Sequence, residues 1–309
     1  MADVWVLGSA AWDHIYEVDH LPAPGTGMTA RSVGRRPGGS SGNVARALAS
    51  AGHPVHLVAQ AGTEELGDAL LAELAGYGLD TRHVLRCAGC TPETLVFVDG
   101  TGARTIIVID KDCARATPVP LEAIADADAV FVGRFADYEP QLPAVLRRSR
   151  ALVVTAVPPP GTVEDWCADI VIGSADDFMS TWLDAPYEHL RQRVGDRLRW
   201  VVVTQGEHGA SAYGPDATVT MPAEEAAAID TTGAGDSFTA GLMHGLVQGR
   251  DIATAGALGT HWAAIAVELR QSVPPRWAEL QLGPADDNWP ARLALQPGSD
   301  STPAVWTSS

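Results

Sequence analysis

The chain has a single lysine, Lys111, among its 309 residues. No Gly-Lys-Ser/Thr triplet exists, and a Walker-type phosphate loop needs that lysine on the phosphates, so a P-loop NTPase is excluded. Arginine and histidine must supply nearly every other cationic contact. Positive charge is scarce overall: the formal net charge is −17. Such an excess of anions argues against non-specific binding to nucleic acid or to membrane surfaces, since both are anionic. Long apolar runs are missing too, and none approaches the ~18 residues of a membrane span. The first residues, Met1-Ala-Asp-Val-Trp5, lack a basic stretch before an apolar core, so no secretory signal is expected and a cytoplasmic location is. Cysteine is sparse. Cys87-Ala-Gly-Cys90 has CxxC spacing, but Cys113 and Cys167 form no second pair. Ordinary reduced cysteines in a turn are expected, rather than half a zinc site or a redox pair.

What is present is ample apolar content, 46%, enough for a packed core in one large α/β domain or two small ones. Val4–Gly8 reads as a buried strand, and Val55–Ala59 as another. Residues 14–37 alternate loosely and carry Pro22, Pro24, Gly25 and Gly27, which predicts two or more exposed strands with a turn. Gly38-Gly-Ser-Ser-Gly-Asn43 opens a small-residue helix over Val44–Ala51, and Glu64–Tyr77 reads as an amphipathic helix. Thr94–Val98 and Arg104–Ile109 flank Asp99-Gly-Thr-Gly102, a hairpin signal. Four strand-like runs, Ala129–Val132, Leu152–Ala156, Ile170–Ile172 and Trp200–Thr204, then alternate with helical stretches. Such alternation predicts a parallel sheet with helices on both faces. A hairpin is expected over 210–220, and helices over about 235–249 and 251–270. From Gly283 the composition is that of a tail, which divides the chain into a domain over 1–282 and a segment over 283–309. The exposed strands at 14–37 and 94–109 suit a lid over the open end of the sheet, where ligands of α/β sheets bind.

The most informative stretch is Asp230-Thr-Thr-Gly-Ala-Gly-Asp236, followed by an apolar run from Phe238 to Leu246. Glycines just before a helix leave backbone N–H groups free to face an anion, and the helix dipole adds positive potential. A carboxylate there would repel a bound phosphate. It makes sense if Asp236 accepts a proton from a hydroxyl that attacks the phosphate, which points to phosphoryl transfer with an aspartate as general base. The competing reading is a helix start with Asp236 as a favourable first-turn charge.

Four segments together resemble the ribokinase-like (PfkB) family of carbohydrate and nucleoside kinases. Asp230–Phe238 resembles that family's C-terminal signature, and Gly38-Gly39-Ser-Ser-Gly-Asn43-Val-Ala45 its N-terminal one. Gly8-Ser-Ala-Ala-Trp-Asp13 is similar to its first strand with a substrate-binding aspartate, and Thr204-Gln-Gly206-Glu-His-Gly209 to its nucleotide-side loop. The matches run in the family's order from residue 3 to about 280. The resemblance implies a three-layer α/β/α fold with a mainly parallel central sheet and a small β-sheet lid, which in this family can mediate a homodimer. It implies ATP and Mg²⁺ as cosubstrates and a sugar, nucleoside or related polyol as phosphoryl acceptor. Asp236 would be the base, with the N–H groups of Gly233, Ala234 and Gly235 as anion hole. Asp13, Gly38, Gly39 and Asn43 would hold the acceptor. Thr204, Gly206 and Gly209 would line the nucleotide pocket, with His261 beside the adenine. Asp230 and Thr232 resemble the loop whose carbonyls hold a monovalent cation, K⁺ for example, in several members. Arg104 follows the hairpin turn and either points from the lid into the site or is solvated. Trp12 either stacks on the acceptor or sits in the core.

The chain also departs from the family. An Asn-x-x-Glu motif that helps organise Mg²⁺ and phosphate is replaced by Ser174-Ala-Asp-Asp177. Asp177 keeps a carboxylate for the metal but is one methylene shorter, and Ser174 stands for the amide. Gly133-Arg134-Phe135 stands where some members carry a glutamate or polar group. Two readings stay open on these residues: an active but divergent kinase, or a non-catalytic sugar- or nucleotide-binding protein on the same fold.

Overall fold

The structure is a computed structural model and describes residues 1–89, 91–100, 104–109, 117–134, 139–157, 166–269 and 273–280. Lys111, Cys90, Cys113, Phe135, the middle of the 99–102 turn and the whole 283–309 tail lie outside the described residues. In chain order the elements are β1 (Val4–Leu7), β2 (Ala11–Glu17), β3 (Arg31–Gly38), α1 (Ser40–Ser50), β4 (Val55–Val58), β5 (Gln60–Gly62), α2 (Glu65–Gly76), β6 (Leu85–Cys87), β7 (Glu93–Val98) and β8 (Arg104–Ile109). There follow α3 (Leu121–Ala125), β9 (Ala129–Val132), α4 (Leu142–Arg148), β10 (Leu152–Ala156), β11 (Ile170–Ser174), α5 (Pro186–Val194), β12 (Trp200–Thr204), β13 (Ala210–Tyr213), β14 (Thr218–Met221), α6 (Ala234–Val247) and α7 (Ile252–Val267).

Eight strands form the main sheet in the order β14-β13-β12-β11-β10-β9-β1-β4. From β4 across to β12 every neighbouring pair is parallel, and the expected 210–220 hairpin adds β13 and β14 antiparallel at one edge. Side chains alternate across the sheet, as the pleat requires. Val4 and Val6 face a core shared with α1, α2, α6 and α7, whereas Trp5 and Leu7 face one shared with α3, α4 and α5. The two apolar layers explain why these strands read as continuous hydrophobic runs rather than alternating ones.

A separate four-stranded sheet, β3-β2-β7-β8, stands apart as the lid. The β7–β8 hairpin pairs Val98 with Arg104, as its Asp-Gly signal predicts. Two boundaries differ from expectation. The first lid strand starts at Ala11 rather than near residue 14, and its start is buried at Trp12 and Asp13. Helix α1 starts at Ser40, so Ser41, Gly42 and Asn43 lie inside it. Their small side chains allow α1 to sit against β1 and the chain at Ser9, where Gly42 N donates to Ser9 O at 3.0 Å. A short parallel pair, β5–β6, has no counterpart in the sequence reading. No helix among the described residues is long and apolar enough to cross a membrane.

Candidate active site

The N-terminus of α6 anchors the site. Gly233 takes φ 76°, a left-handed conformation that a residue with a Cβ adopts at a cost, and in the turn it makes the Ala234 amide donates to Thr231 O at 3.4 Å. The N-cap residue, Gly233, has no side chain with which to cap this end. Ala234 and Gly235 instead line a cavity of ≈ 620 Å³ together with Thr204, Gly206, Gly209, Thr231 and Phe238. The floor is apolar, from Phe238, Ala263, Ala264 and Val267. The expected nucleotide-loop and anion-hole residues lie far apart in sequence, at 204–209 and 233–235, and Thr204, Gly206, Gly209, Ala234 and Gly235 of them line this one pocket.

Asp236 sits in the first turn of α6 and turns toward α1. Its Oδ1 accepts from Ser40 Oγ at 2.5 Å and its Oδ2 from Asn43 Nδ2 at 2.6 Å. Enclosure of the carboxyl raises its pKa, and the hydrogen bonds from Ser40 and Asn43 and the charge of Arg46 oppose that rise. Asp13, on β2, is 6% exposed. Burial raises its pKa to about 6, with the nearby Asp236 charge adding to the rise, while Arg46, a hydrogen bond with Thr94 and His14 work against it. Gly38 is required by this carboxylate: a Cβ there would lie 2.1 Å from Asp13 Oδ2. Of the predicted acceptor-side residues, Asn43 bonds Asp236, Asp13 lies beside it, Gly38 packs on Asp13, and Gly39 lies against the Ser9–Ala11 backbone.

Arg104, the first residue of the lid strand β8, reaches the loop before α6. Its Nη2 donates to Thr231 Oγ1 at 2.6 Å and its Nη1 to Thr232 Oγ1, 4.0 Å from Asp230 Oδ1. Arg104 is therefore bonded to the 230–232 loop rather than simply solvated. Asp230 Oδ1 also accepts from Thr232 N at 2.9 Å and from Thr232 Oγ1 at 2.5 Å. Asp230 and Thr232 are thus bonded to each other beside a guanidinium.

The nucleotide–metal side departs from expectation. Arg134, after β9, donates through Nη1 to Asp177 Oδ1, and Asp177 Oδ2 accepts from Ser174 N at 2.9 Å. Ser174 itself caps the short turn at Ala175–Asp177. A carboxylate held by a guanidinium and an amide is a poor seat for a divalent cation, so Asp177 does not fit as a metal ligand in this arrangement. Among the described residues, the side chains grouped closely enough to hold a metal are His56, Asp80 and His83, at the β4 edge of the sheet. There both ring nitrogens of His56 already face carboxylates, Asp80 at 2.8 Å and Asp3 at 2.9 Å.

Two predicted residues lie off the cavity wall. His261 is held by Glu224 Oε2 at 2.8 Å and by Leu280 O at 3.0 Å, and it is Glu224 that lines the cavity. Trp12 donates to Leu66 O at 2.9 Å and lies under the Arg35 guanidinium, 4.6 Å from its ring centroid. Neighbours on a strand face opposite ways, so Trp12 is turned from the side that Asp13 occupies. Ser40 and Arg46 were missed. Both lie at helical spacing from Asn43, three residues away on either side, which is the signal that would have found them.

A model of the pfkB family of carbohydrate kinases matches residues 1–278. The chain belongs to this family, and it is a kinase. It is 28% identical over 251 residues to the ATP-dependent ribose-1-phosphate kinase of Halopiger xanaduensis, covering 79% of this chain and 84% of that protein. With the deoxyribokinase of Salmonella typhimurium it shares 26% over 286 residues, 86% and 92% of the two chains. The fold is that of Arabidopsis thaliana ribokinase, solved with ribose and ATP, at a TM-score of 0.73 and 20% identity over 91% of this chain and 99% of that one.

Proposed function

We propose that this kinase transfers the terminal phosphoryl group of ATP to a hydroxyl of a sugar, nucleoside or related polyol, with Asp236 as general base. One observation carries the reading: the Asp236 carboxylate stands in the first turn of α6, just after the Gly233 N-cap, and beside the buried Asp13. A hydroxyl held by Asp13 and Asn43 can pass its proton to Asp236 as its oxygen attacks the phosphorus and the bond to the bridging oxygen of ADP breaks. The amides of Gly233, Ala234 and Gly235 would receive the charge that builds on the transferring group. Thr204, Gly206 and Gly209 would flank the nucleotide. Arg104 closes the lid onto the same loop, which keeps water from the phosphoryl group.

A divalent metal such as Mg²⁺ would arrive on the nucleotide phosphates and neutralise their charge. Relatives named for ribose 1-phosphate, deoxyribose, nucleosides and ribose favour a pentose-based acceptor. We further propose a homodimer through the lid. Ile106, Ile107, Val108 and Ile109 are 53%, 47%, 69% and 36% exposed along β8, an edge strand that invites a partner.

The test is ATP consumption across pentoses, pentose phosphates, nucleosides and cyclitols. Asp236→Asn should abolish turnover of the acceptor that works while leaving nucleotide affinity within about twofold, because its loss removes a step rather than a uniform binding contact. Retained turnover would remove Asp236 as the base.

A further inference from the structure

Arg46 has no part in the roles assigned so far. It lies in α1, one turn past Asn43, and is 1% exposed. An arginine at that depth is kept only with partners. Its Nε donates to Gly42 O at 3.3 Å, and its Nη2 donates to Pro37 O at 2.9 Å and to Asn43 Oδ1. A guanidinium carries only donors, so the Asn43 atom it meets must be the carbonyl oxygen. The amide nitrogen is thereby turned to Asp236, where it donates to Oδ2 at 2.6 Å. With the amide reversed, two oxygens would face each other at the base.

We infer that Arg46 is a positioning residue: it fixes the Asn43 amide against Asp236 and supplies the buried positive charge that keeps both Asp13 and Asp236 ionised when an acceptor arrives. The inference rests on the reading of Asp236 as the base. Arg46 is the one fully buried arginine among the described residues. The charged and titratable groups that face it come from three sides: Asp13 from β2, Asp236 from α6, and Glu73 and Tyr77 from α2 and its end. The guanidinium lies 5.4 Å from the Tyr77 ring centroid, and Arg276 lies 5.0 Å from the same ring. All four groups help to hold Arg46 charged, and Arg46 in turn favours the ionised forms of Asp13 and Asp236. Burial brings its own pKa down only to about 10, so it stays a cation at neutral pH.

Two variants separate positioning from mere structure. R46K keeps a cation but loses the forked contact to Asn43, and R46M loses both. Carboxyl ¹³C shifts of aspartate, followed through a pH titration without any substrate, read the charge effect directly. In R46M the titration of the Asp13–Asp236 pair should move up by about one to two pH units, the size expected when a neighbouring opposite charge is lost. In R46K that titration should stay in place while kcat falls on the order of 10²-fold, the cost of a group misplaced by about an ångström. R46K with wild-type kcat, or folded R46M with an unmoved titration, overturns the inference. If R46M does not fold, the R46K rate decides. A moved titration in a protein that phosphorylates no acceptor would leave the role of Arg46 standing and overturn the kinase mechanism instead.

Discussion

Acceptor binding should switch off in mild acid, and Asp13 is the reason. Burial is the main cause that holds its pKa near 6, so its carboxylate is one proton away from failing at a pH where most aspartates are fully ionised. A neutral carboxyl loses acceptor capacity for the vicinal hydroxyls of a sugar. With a single titration near 6, roughly one molecule in ten is ionised at about pH 5 and nine in ten at about pH 7. The acceptor kcat/KM should therefore rise about tenfold over that interval, with the midpoint set by the free enzyme. Asp236 titrates beside it, so the limb belongs to the pair. The assay is initial rate at low acceptor and saturating nucleotide across this pH range, repeated on Asp13→Asn.

The same shift has a stability side with the opposite sign. A folded-state pKa above the unfolded 3.8 means the native state binds more protons, so stability falls as pH rises from about 4 to about 6 and stays lower above it. The shift of about two units corresponds to as much as about 3 kcal/mol at neutral pH. Asp13→Asn should thus raise the melting temperature of the empty enzyme by a few degrees while lowering acceptor kcat/KM by tenfold or more. A wild-type limb centred below about pH 4.5, or an Asp13→Asn enzyme that is both less stable and unchanged in its pH profile, would refute the reasoning.

Three further outcomes are expected. Gly38→Ala places a methyl 2.1 Å from Asp13 Oδ2 and should cut acceptor kcat/KM on the order of 10²-fold with nucleotide affinity intact, read by steady-state kinetics and calorimetry. His53 and His244 are buried and bonded to each other at 2.9 Å, and burial lowers the His244 pKa to about 4. A depressed histidine pKa gives stability that is present above about 6.5 and lost as pH falls toward about 4, worth about 3 kcal/mol in all, so urea melts should show an acid loss that His244→Leu flattens. Val108→Asp on the exposed lid strand should convert a dimer to a monomer in light scattering, and a wild-type monomer would sink the lid interface.

Much of the fold could be read from local pattern. Strands of the main sheet are buried on both faces, and their apolar runs mark them within a residue or so: the predicted Ala129–Val132, Leu152–Ala156 and Trp200–Thr204 are β9, β10 and β12. The start of β2 was harder, because Ala11, Trp12 and Asp13 are all buried and give no alternation. In the site, residues that depend on backbone, such as Gly38 and Gly233, announce themselves by glycine. Pairings do not. Arg134 with Asp177 and Arg104 with Thr231 span 43 and 127 residues, and nothing local ties their ends together.

Those pairings share a logic that follows from composition. The chain carries one lysine and a net charge of −17, yet its site must accept a polyanionic nucleotide. Three arginines from three parts of the chain each stand against a carboxylate: Arg46 beside Asp13 and Asp236, Arg104 beside Asp230, and Arg134 on Asp177. A lysine would be a mobile point charge in these places, whereas a guanidinium is a rigid fork that can neutralise one acid and orient a second group at once. Arg46 does so with the Asn43 amide and Arg104 with two threonine hydroxyls. The replacement of the family's Asn-x-x-Glu segment by Ser174–Asp177 is coherent in this light. Once Arg134 supplies a fixed cation, the acid opposite it serves to hold that cation, and a shorter side chain with a capping serine suffices.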